Sequence, residues 1–424
     1  MHNVFAQRLQ LVLPDLIHTD QVAGIKGRYI GCNIRNVIDI FEYTENNDIP
    51  GALLCIDFKK AFDTVERNFL YSVLERLNFG QNFIKWMQTL YNEPMFKIKN
   101  NGWISKAYPL ERSLRQGCPM SASLFVIIIE VLGIMIRKAK NINGIEINQI
   151  EHKIIQYADD ATICVRNLPS IRNAVNIINE FSSYAGPQLN LKKTKGIWLG
   201  PLKDLGLRIF ENLKWTGKPM KLLGIYIGHK RETCEVYNWI KRLDKAKQMI
   251  TYWKRRKLSL FGRVYVIKTY ILSKFVYPAS VLTVPENIIK EIKNIIFDYL
   301  WDGKRDKIKR SSIINNLANG GINMIDLDSY FLSLKAVWAS RIISCSGKWS
   351  SLFYQTLSEH NLPPHYIWKT SFKNANIFPL VDKFSSFYKE VIIAFNSSKY
   401  VKPFQFLNKL LEQPLWGNEY FKVK

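Results

Sequence analysis

Cysteine is scarce and scattered in this chain. The six residues Cys32, Cys55, Cys118, Cys164, Cys234 and Cys345 form no C-x-x-C pair and have no histidine partner nearby. That spacing argues against a zinc site and a disulfide scaffold, and suits reduced thiols in a cytosolic or nuclear protein. The N-terminus has no apolar signal core. The longest apolar stretch, Met120 to Ile136, falls short of the roughly 20 residues a membrane span needs and contains Glu130. It reads as a buried helix opened by Pro119, a residue suited to a first helical turn. No internal repeat or low-complexity linker is visible. Acidic residues are also in short supply: 35 against 60 Lys and Arg leave a formal charge of +25. Such a balance suits a polyphosphate partner, although a membrane-surface protein would show the same total.

Distribution is more telling than the total. Residues Lys241 to Arg310 hold eighteen basic and six acidic side chains, interleaved with Tyr252, Trp253, Phe261, Tyr265 and Tyr270. Cations to track phosphates with rings nearby fit nucleic-acid binding, with Lys254, Arg255, Arg256, Lys257 and Arg263 as candidate contacts. Several rings recur at helical spacing and read equally well as core.

The most informative four residues are Tyr157-Ala158-Asp159-Asp160. Strand-like Lys153-Ile154-Ile155-Gln156 precedes them and Ala161-Thr162-Ile163-Cys164-Val165 follows. Two short β-runs meeting at an Asp-Asp pair predict a hairpin with two carboxylates at its tip. Adjacent carboxylates repel, so a cation there relieves the cost, and hard oxygen ligands favour Mg²⁺. An ordinary polar turn would show the same tetrapeptide. A third carboxylate, Asp57, ends the apolar run Ala52-Leu53-Leu54-Cys55-Ile56, which reads as a buried strand. If that strand lies beside the hairpin, Asp57 and Asp159 can grip two Mg²⁺ ions about 4 Å apart, with Asp160 assisting.

These residues resemble a family. Asp57-Phe58-Lys59-Lys60-Ala61-Phe62-Asp63 is similar to the first palm motif of reverse transcriptases, and Tyr157 to Asp160 to their catalytic box. Between them, Arg115-Gln116-Gly117-Cys118-Pro119-Met120-Ser121 resembles the segment that seats the incoming nucleotide and template base. Gly186 to Thr194, Leu222-Leu223-Gly224-Ile225-Tyr226, Leu258 to Arg263, Gly320-Gly321-Ile322-Asn323 and Gln413-Pro414-Leu415-Trp416 are similar to LINE-type (non-LTR) retrotransposon enzymes in particular. The resemblance implies RNA-templated addition of dNTPs to a DNA 3′-end, with two Mg²⁺ held by Asp57, Asp159 and Asp160 and no side-chain nucleophile. It implies nucleotide contacts from Phe58, Phe62, Arg115, Gln116, Gly117 and Lys193. Phe62 would collide with a 2′-hydroxyl and so select dNTPs; helix core is its other reading. Arg115 reads equally as a surface arginine, and Lys193 as a solvated lysine. Arg28, in Gly24-Ile25-Lys26-Gly27-Arg28, resembles a finger motif from which Ile25 and Cys32 depart.

The expected fold class is α+β: a right-hand polymerase palm with partial fingers, followed by an all-helical thumb. Expected boundaries are 1–50 for partial fingers, 51–230 for the palm with fingers insertions, 231–345 for the thumb, and 346–424 for a region of unknown role. Helical stripes are predicted at Phe69 to Leu77 (ended by Gly80), Phe83 to Tyr91 and Ile171 to Phe181 (closed by Gly186), with strands near Ile197 and Ile225. Val236, Ile240, Leu243, Ile250 and Trp253 should line one buried face. Expected partners are an RNA template, a DNA primer and dNTPs, with no membrane, in a nuclear and cytoplasmic ribonucleoprotein. The match starts at Phe5-Ala6-Gln7-Arg8-Leu9, and neither an endonuclease nor a Cys/His-rich tail is visible, so a truncated fragment that polymerises poorly alone is expected. Two alternatives are an RNA replicase, against which Phe62 counts, and an inactive relic that only binds nucleic acid.

Overall fold

The computed structural model describes residues 2–115, 117–205, 209–210, 213–344, 347–362, 368 and 381–397. The chain divides into two compact units, Met1–Leu223 with Gly347–Trp349, and Gly224–Ser346 with Ser350–Lys424.

The first unit is mixed α and β. Helices α1 (His2–Leu16) and α2 (Ile30–Asn46) precede strand β1 (Gly51–Ile56) and the two-residue β2 (Phe58–Lys59). Then come α3 (Arg67–Arg76), α4 (Gln81–Leu90), the short strands β3 (Met95–Phe96), β4 (Lys99–Asn100), β5 (Trp103–Ile104) and β6 (Tyr108–Pro109), and α5 (Ser121–Lys138). Strands β7 (Ile145–Ile147), β8 (Ile150–His152), β9 (Ile154–Tyr157) and β10 (Asp160–Val165) lead to α6 (Leu168–Ala185), followed by β11 (Gln188–Leu189), β12 (Lys195–Leu199) and β13 (Lys214–Trp215). The main sheet runs β13-β12-β1-β10-β9. β1 is central and antiparallel to both neighbours, with Ile56 opposite Ala161 and Cys55 opposite Lys195.

A central strand covered on both sides explains the apolar run before Asp57. Ala52, Leu54 and Ile56 face the large core, whereas Leu53, Ile155, Cys164 and Ile197 are buried outside it. α2 lies against β9 and β12, and α5 and α6 against β9 and β10. The Met120–Ile136 stretch is indeed a buried helix, with Pro119 in the turn just before Ser121. Burial of its Leu, Ile and Phe side chains contributes about 1.5–3 kcal/mol each. Its one acid, Glu130, is paired with Arg137, and burial pushes the Glu130 carboxyl upward while Arg137 opposes the shift. The predicted helices over Phe69–Leu77, Phe83–Tyr91 and Ile171–Phe181 are α3, α4 and α6, but Gly80 caps the start of α4 rather than ending α3. Gly186 closes α6 at φ +99°, and a Cβ there would sit 1.9 Å from the Thr64 carbonyl oxygen. Only glycine fits that approach.

The second unit's described residues are mainly helical: α7 (Arg231–Glu235), α8 (Lys241–Lys254), α9 (Leu260–Val266), α10 (Ser273–Val281), α11 (Glu286–Trp301), α12 (Arg310–Ile314), α13 (Leu327–Ser344), α14 (Ser351–Glu359) and a last helix, Ser386–Ser397. One expectation about it needs correction. Val236 and Ile240 are exposed, while Trp239, Leu243, Ala246 and Ile250 are buried. A π-helical turn at Val236–Ile240 inserts extra rotation, so the stripe read at 3.6-residue spacing misses the inward face by one residue. Residues 413–416 and Cys345 lie outside the described residues. No described helix is long and apolar enough to cross a membrane.

Candidate active site

β1 and β10 carry the acidic residues to adjacent strand ends. Asp57 follows the Ile56–Ala161 pair, and Asp160 begins β10 opposite Tyr157. Ala158 and Asp159 form the two-residue loop between β9 and β10. Ala158 takes φ +52°, a left-handed conformation that costs a residue with a Cβ about 1–3 kcal/mol.

The hairpin is held in that strained shape from the N-terminal region. The Ala158 N–H donates to Gln21 Oε1 at 3.0 Å, and the same oxygen accepts the Ala23 N–H at 2.9 Å. Backbone bonds join the Gln156 N–H to the Asp20 carbonyl (2.9 Å) and the Val22 N–H to the Gln156 carbonyl (3.2 Å). Asn33 Nδ2 donates to that same Gln156 carbonyl at 2.6 Å. Arg28, from the finger-like motif, knots this loop together. Its guanidinium donates to the carbonyls of Pro14, Ile17, His18 and Gln21 at 2.6–3.0 Å. Burial alone would raise the Asp20 carboxyl, but the His18 hydrogen bond and the charges of Lys348, His18 and Arg137 hold it below its ordinary range.

Asp57 has its own support. Asn190 Nδ2 donates to Asp57 Oδ2 at 2.9 Å and the Asn190 N–H to the Asp57 carbonyl at 2.8 Å. Thr194 Oγ1 accepts the Asp57 N–H at 3.2 Å. The Asn190–Thr194 turn is therefore latched to the carboxylate, with Lys193 exposed between the two latches. Asn190, Thr194 and Gln21 escaped the sequence reading because their partners lie more than 130 residues away.

Electrostatically the strand ends are uncompensated. None of Asp57, Asp159 and Asp160 forms an ion pair with a described residue. Partial desolvation, then the charges of Asp159 and Asp57, push the Asp160 carboxyl above its usual range. The donor set (oxygen only, net negative, in no ion pair with a described residue) fits a hard divalent ion. Even so, among the described residues no three Asp, Glu, His or Cys side chains are close enough to share one ion. Behind the site, burial pushes the Cys55 thiol up to about 12, which leaves it inert as a nucleophile.

The remaining expected residues fall into different surroundings. Phe62 is half-buried and stacks on Phe125 with centroids 4.2 Å apart, so the ring has a core side and an open side. Phe58 is 7 % exposed, and its side chain belongs to the core. Arg115 lies 5.9 Å from the Tyr91 ring centroid. Gly117 is exposed at φ +80°, a conformation that favours glycine. Gln116 lies outside the described residues.

In the second unit, three of the five basic candidates already have intramolecular partners. Lys254 Nζ pairs with Asp298 at 2.7 Å. Arg263 donates to the Tyr299 and Leu300 carbonyls at 3.4 and 3.1 Å and lies 3.7 Å from Asp302, capping the C-terminal end of α11. Arg256 lies over Tyr252 and Trp253 at 5.6 and 5.3 Å. Arg255 and Lys257 are exposed, without ion pairs among the described residues.

The family model described as reverse transcriptase (RNA-dependent DNA polymerase) matches residues 1–227. The transposon TX1 uncharacterized 149 kDa protein of Xenopus laevis is 28 % identical over 302 residues, 70 % of this chain and 23 % of that protein. The retrovirus-related Pol polyprotein from the type-2 retrotransposable element R2DM of Drosophila melanogaster is 23 % identical over 262 residues, 58 % of this chain and 24 % of that protein. This chain thus spans about a quarter of the length of the curated relatives it matches. Among solved structures, telomerase from Candida tropicalis in complex with the TWJ fragment of telomeric RNA aligns at a TM-score of 0.42 and 16 % identity, covering 82 % of this chain and 56 % of that one. With more than half of its length matched by that family model, the chain belongs to the reverse transcriptase family, the RNA-dependent DNA polymerases.

Proposed function

We propose that this chain is the polymerase portion of a non-LTR retrotransposon protein and adds dNTPs to a DNA 3′-end on an RNA template. The observation that carries the reading is the juxtaposition of Asp57 with the strained Ala158-Asp159 loop, neither end ion-paired with a described residue. Asp57, Asp159 and Asp160 would hold Mg²⁺, in line with the family's general use of a divalent metal. When bound, that metal supplies charge neutralisation for an in-line phosphoryl transfer.

The chain's own residues supply position. Gln21 holds the backbone of the loop that carries Asp159 in its left-handed turn. Asn190 and Thr194 fix Asp57 from its side chain and its amide. Exposed Lys193, between those anchors, would meet triphosphate charge. Phe62, braced by Phe125, would meet the sugar with its open side; Phe58 would contribute backbone only. Arg115 and Gly117, with Gln116, would seat the nucleotide, and Arg255, Arg256 and Lys257 would track duplex phosphates. Positioning supplies much of the barrier reduction in phosphoryl transfer, so these supports matter as much as the acids.

The test is primer extension on an RNA template by the purified chain, with Asp57→Ala and Asp159→Ala beside it. Extension by the parent, lost in both variants, supports the reading. Extension retained in either variant refutes the site, and a parent that binds primer–template without extending it favours a binding-only protein.

A further inference from the structure

Between α4 and the segment bearing Arg115, the chain leaves the core as a ribbon. β3 pairs with β6 and β4 with β5, and the tip is Asn101-Gly102, both at positive φ (45° and 88°). Asn-Gly is the residue pair such a two-residue hairpin turn prefers. Every residue from Lys97 to Pro109 is exposed. A two-stranded ribbon has no core to shelter apolar groups. Yet Trp103 is 83 % exposed, Ile104 61 % and Ile98 58 %. Phe96 faces Tyr108 across the ribbon with centroids 6.5 Å apart, and Trp103 stands opposite Asn100. Lys97, Lys99 and Lys106 punctuate these rings. No acidic residue lies between Pro94 and Leu110, and none of the three lysines is in an ion pair with a described residue.

Unpaired cations beside open rings complement a flexible polyanion with stackable bases, which is single-stranded nucleic acid. The ribbon is also continuous with the site. Its returning strand is fastened by the Arg67 guanidinium, which donates to the Leu110 and Arg112 carbonyls. The Ser113 N–H then bonds Val65 and the Leu114 N–H bonds Phe62, both at 3.0 Å, immediately before Arg115. Resting on the polymerase reading above, we infer that this ribbon is a contact surface for the single-stranded RNA template before it reaches Arg115.

The experiment measures fluorescence anisotropy of a labelled 16-nucleotide RNA and of an RNA–DNA duplex of equal length, using the full chain. Trp103→Ala should weaken single-strand binding roughly 5- to 100-fold and leave the duplex within about twofold, because one stacking platform is lost. Trp103→Phe should restore most of the affinity. Replacing Lys97, Lys99 and Lys106 by Gln should flatten the single-strand salt slope by about 0.7 per lost phosphate contact. Thermal melting should be unchanged in all of them, since no core contact is removed. Equal losses for both ligands, or no loss for either, overturn the inference. So does a self-associating parent that Trp103→Ala turns into a monomer without affecting RNA affinity; the ribbon would then bind a second copy. Asp57→Asn separates the two claims. If it loses extension while Trp103→Ala leaves RNA binding intact, the polymerase reading stands and only the ribbon's role falls.

Discussion

The acidic strand ends of the first unit and the basic run of the second carry charge in opposite ways. The run from Lys241 to Arg310 is the more conspicuous in sequence, yet Lys254 and Arg263 are bound to α11, one to Asp298 and the other to its terminal carbonyls. Part of that positive charge therefore holds α8 and α9 to α11. The acids there, Asp57, Asp159 and Asp160, are few, and none is ion-paired with a described residue, although the chain carries a formal charge of +25. Counter-charge is plentiful in the composition, yet none of it is ion-paired with these carboxylates among the described residues. Unpaired charge is the better sign of a ligand site than charge count, because an intramolecular partner satisfies a group and removes its reason to bind elsewhere.

Breaking the support under the acids should produce the largest effect. Gln21→Ala removes the acceptor from the half-buried Ala158 N–H, a hydrogen bond worth about 0.5–1.5 kcal/mol, and frees a loop that is already strained. Primer extension should drop by roughly 10- to 100-fold while duplex affinity holds, a split visible as kcat falling with little change in KM for primer–template. A proportional loss in binding would mean that the loop supports the fold rather than the site.

A smaller effect is expected at Phe62. Replacing it with Val removes the ring braced on Phe125 and opens room for a 2′-hydroxyl. The ratio of kcat/KM for a matched rNTP to that for its dNTP should rise by about tenfold or more, a difference worth about 1.4 kcal/mol. If the ratio stays put while thermal stability falls, Phe62 is core alone.

The basic run sharpens the contrast directly. Neutralising Arg255, Arg256 and Lys257 together should reduce the slope of log K against log salt by up to about 0.9 per lost phosphate contact. Arg263→Ala should leave that slope unchanged and lower the melting temperature instead, because its guanidinium caps α11. The reverse pattern would put phosphate contact at Arg263.

The smallest effect is a pH dependence. Asp160's folded pKa is raised, so between its unfolded and folded values the native state binds more protons than the unfolded one. Stability from this group is complete below the unfolded carboxyl pKa and is lost as pH rises through the folded value. Asp160→Asn should accordingly melt higher than the parent at neutral pH, by something on the order of 1 °C, and lose that advantage in acid. An advantage that is the same at every pH would point to packing rather than charge.

Much of this was legible in local pattern. A central strand buried on both faces needs a continuous apolar run, and Ala52 to Ile56 is one; a tight hairpin needs short β-runs meeting at a polar pair, and Ile154 to Val165 has that form. What stayed hidden depended on distance in sequence or on backbone departures from a regular period. Nothing near Gln21 announces a partner at Ala158, 137 residues on. Asn190 reads as a turn residue until its side chain is seen on Asp57. The π-turn at Val236–Ile240 defeats a 3.6-residue count by construction. Asn101-Gly102 is a different case, since that turn pair is readable and the ribbon it closes could have been drawn from sequence.

The central claim is that the unpaired acids form a divalent-cation site, and Mn²⁺ binding measured by electron paramagnetic resonance tests it without requiring turnover. The parent chain should bind Mn²⁺, and Mg²⁺ should compete for it. Asp57→Asn and Asp159→Asn should each weaken binding by at least about tenfold, or 1.4 kcal/mol, while the chain stays folded. Mn²⁺ affinity equal to the parent's in both variants would contradict the account.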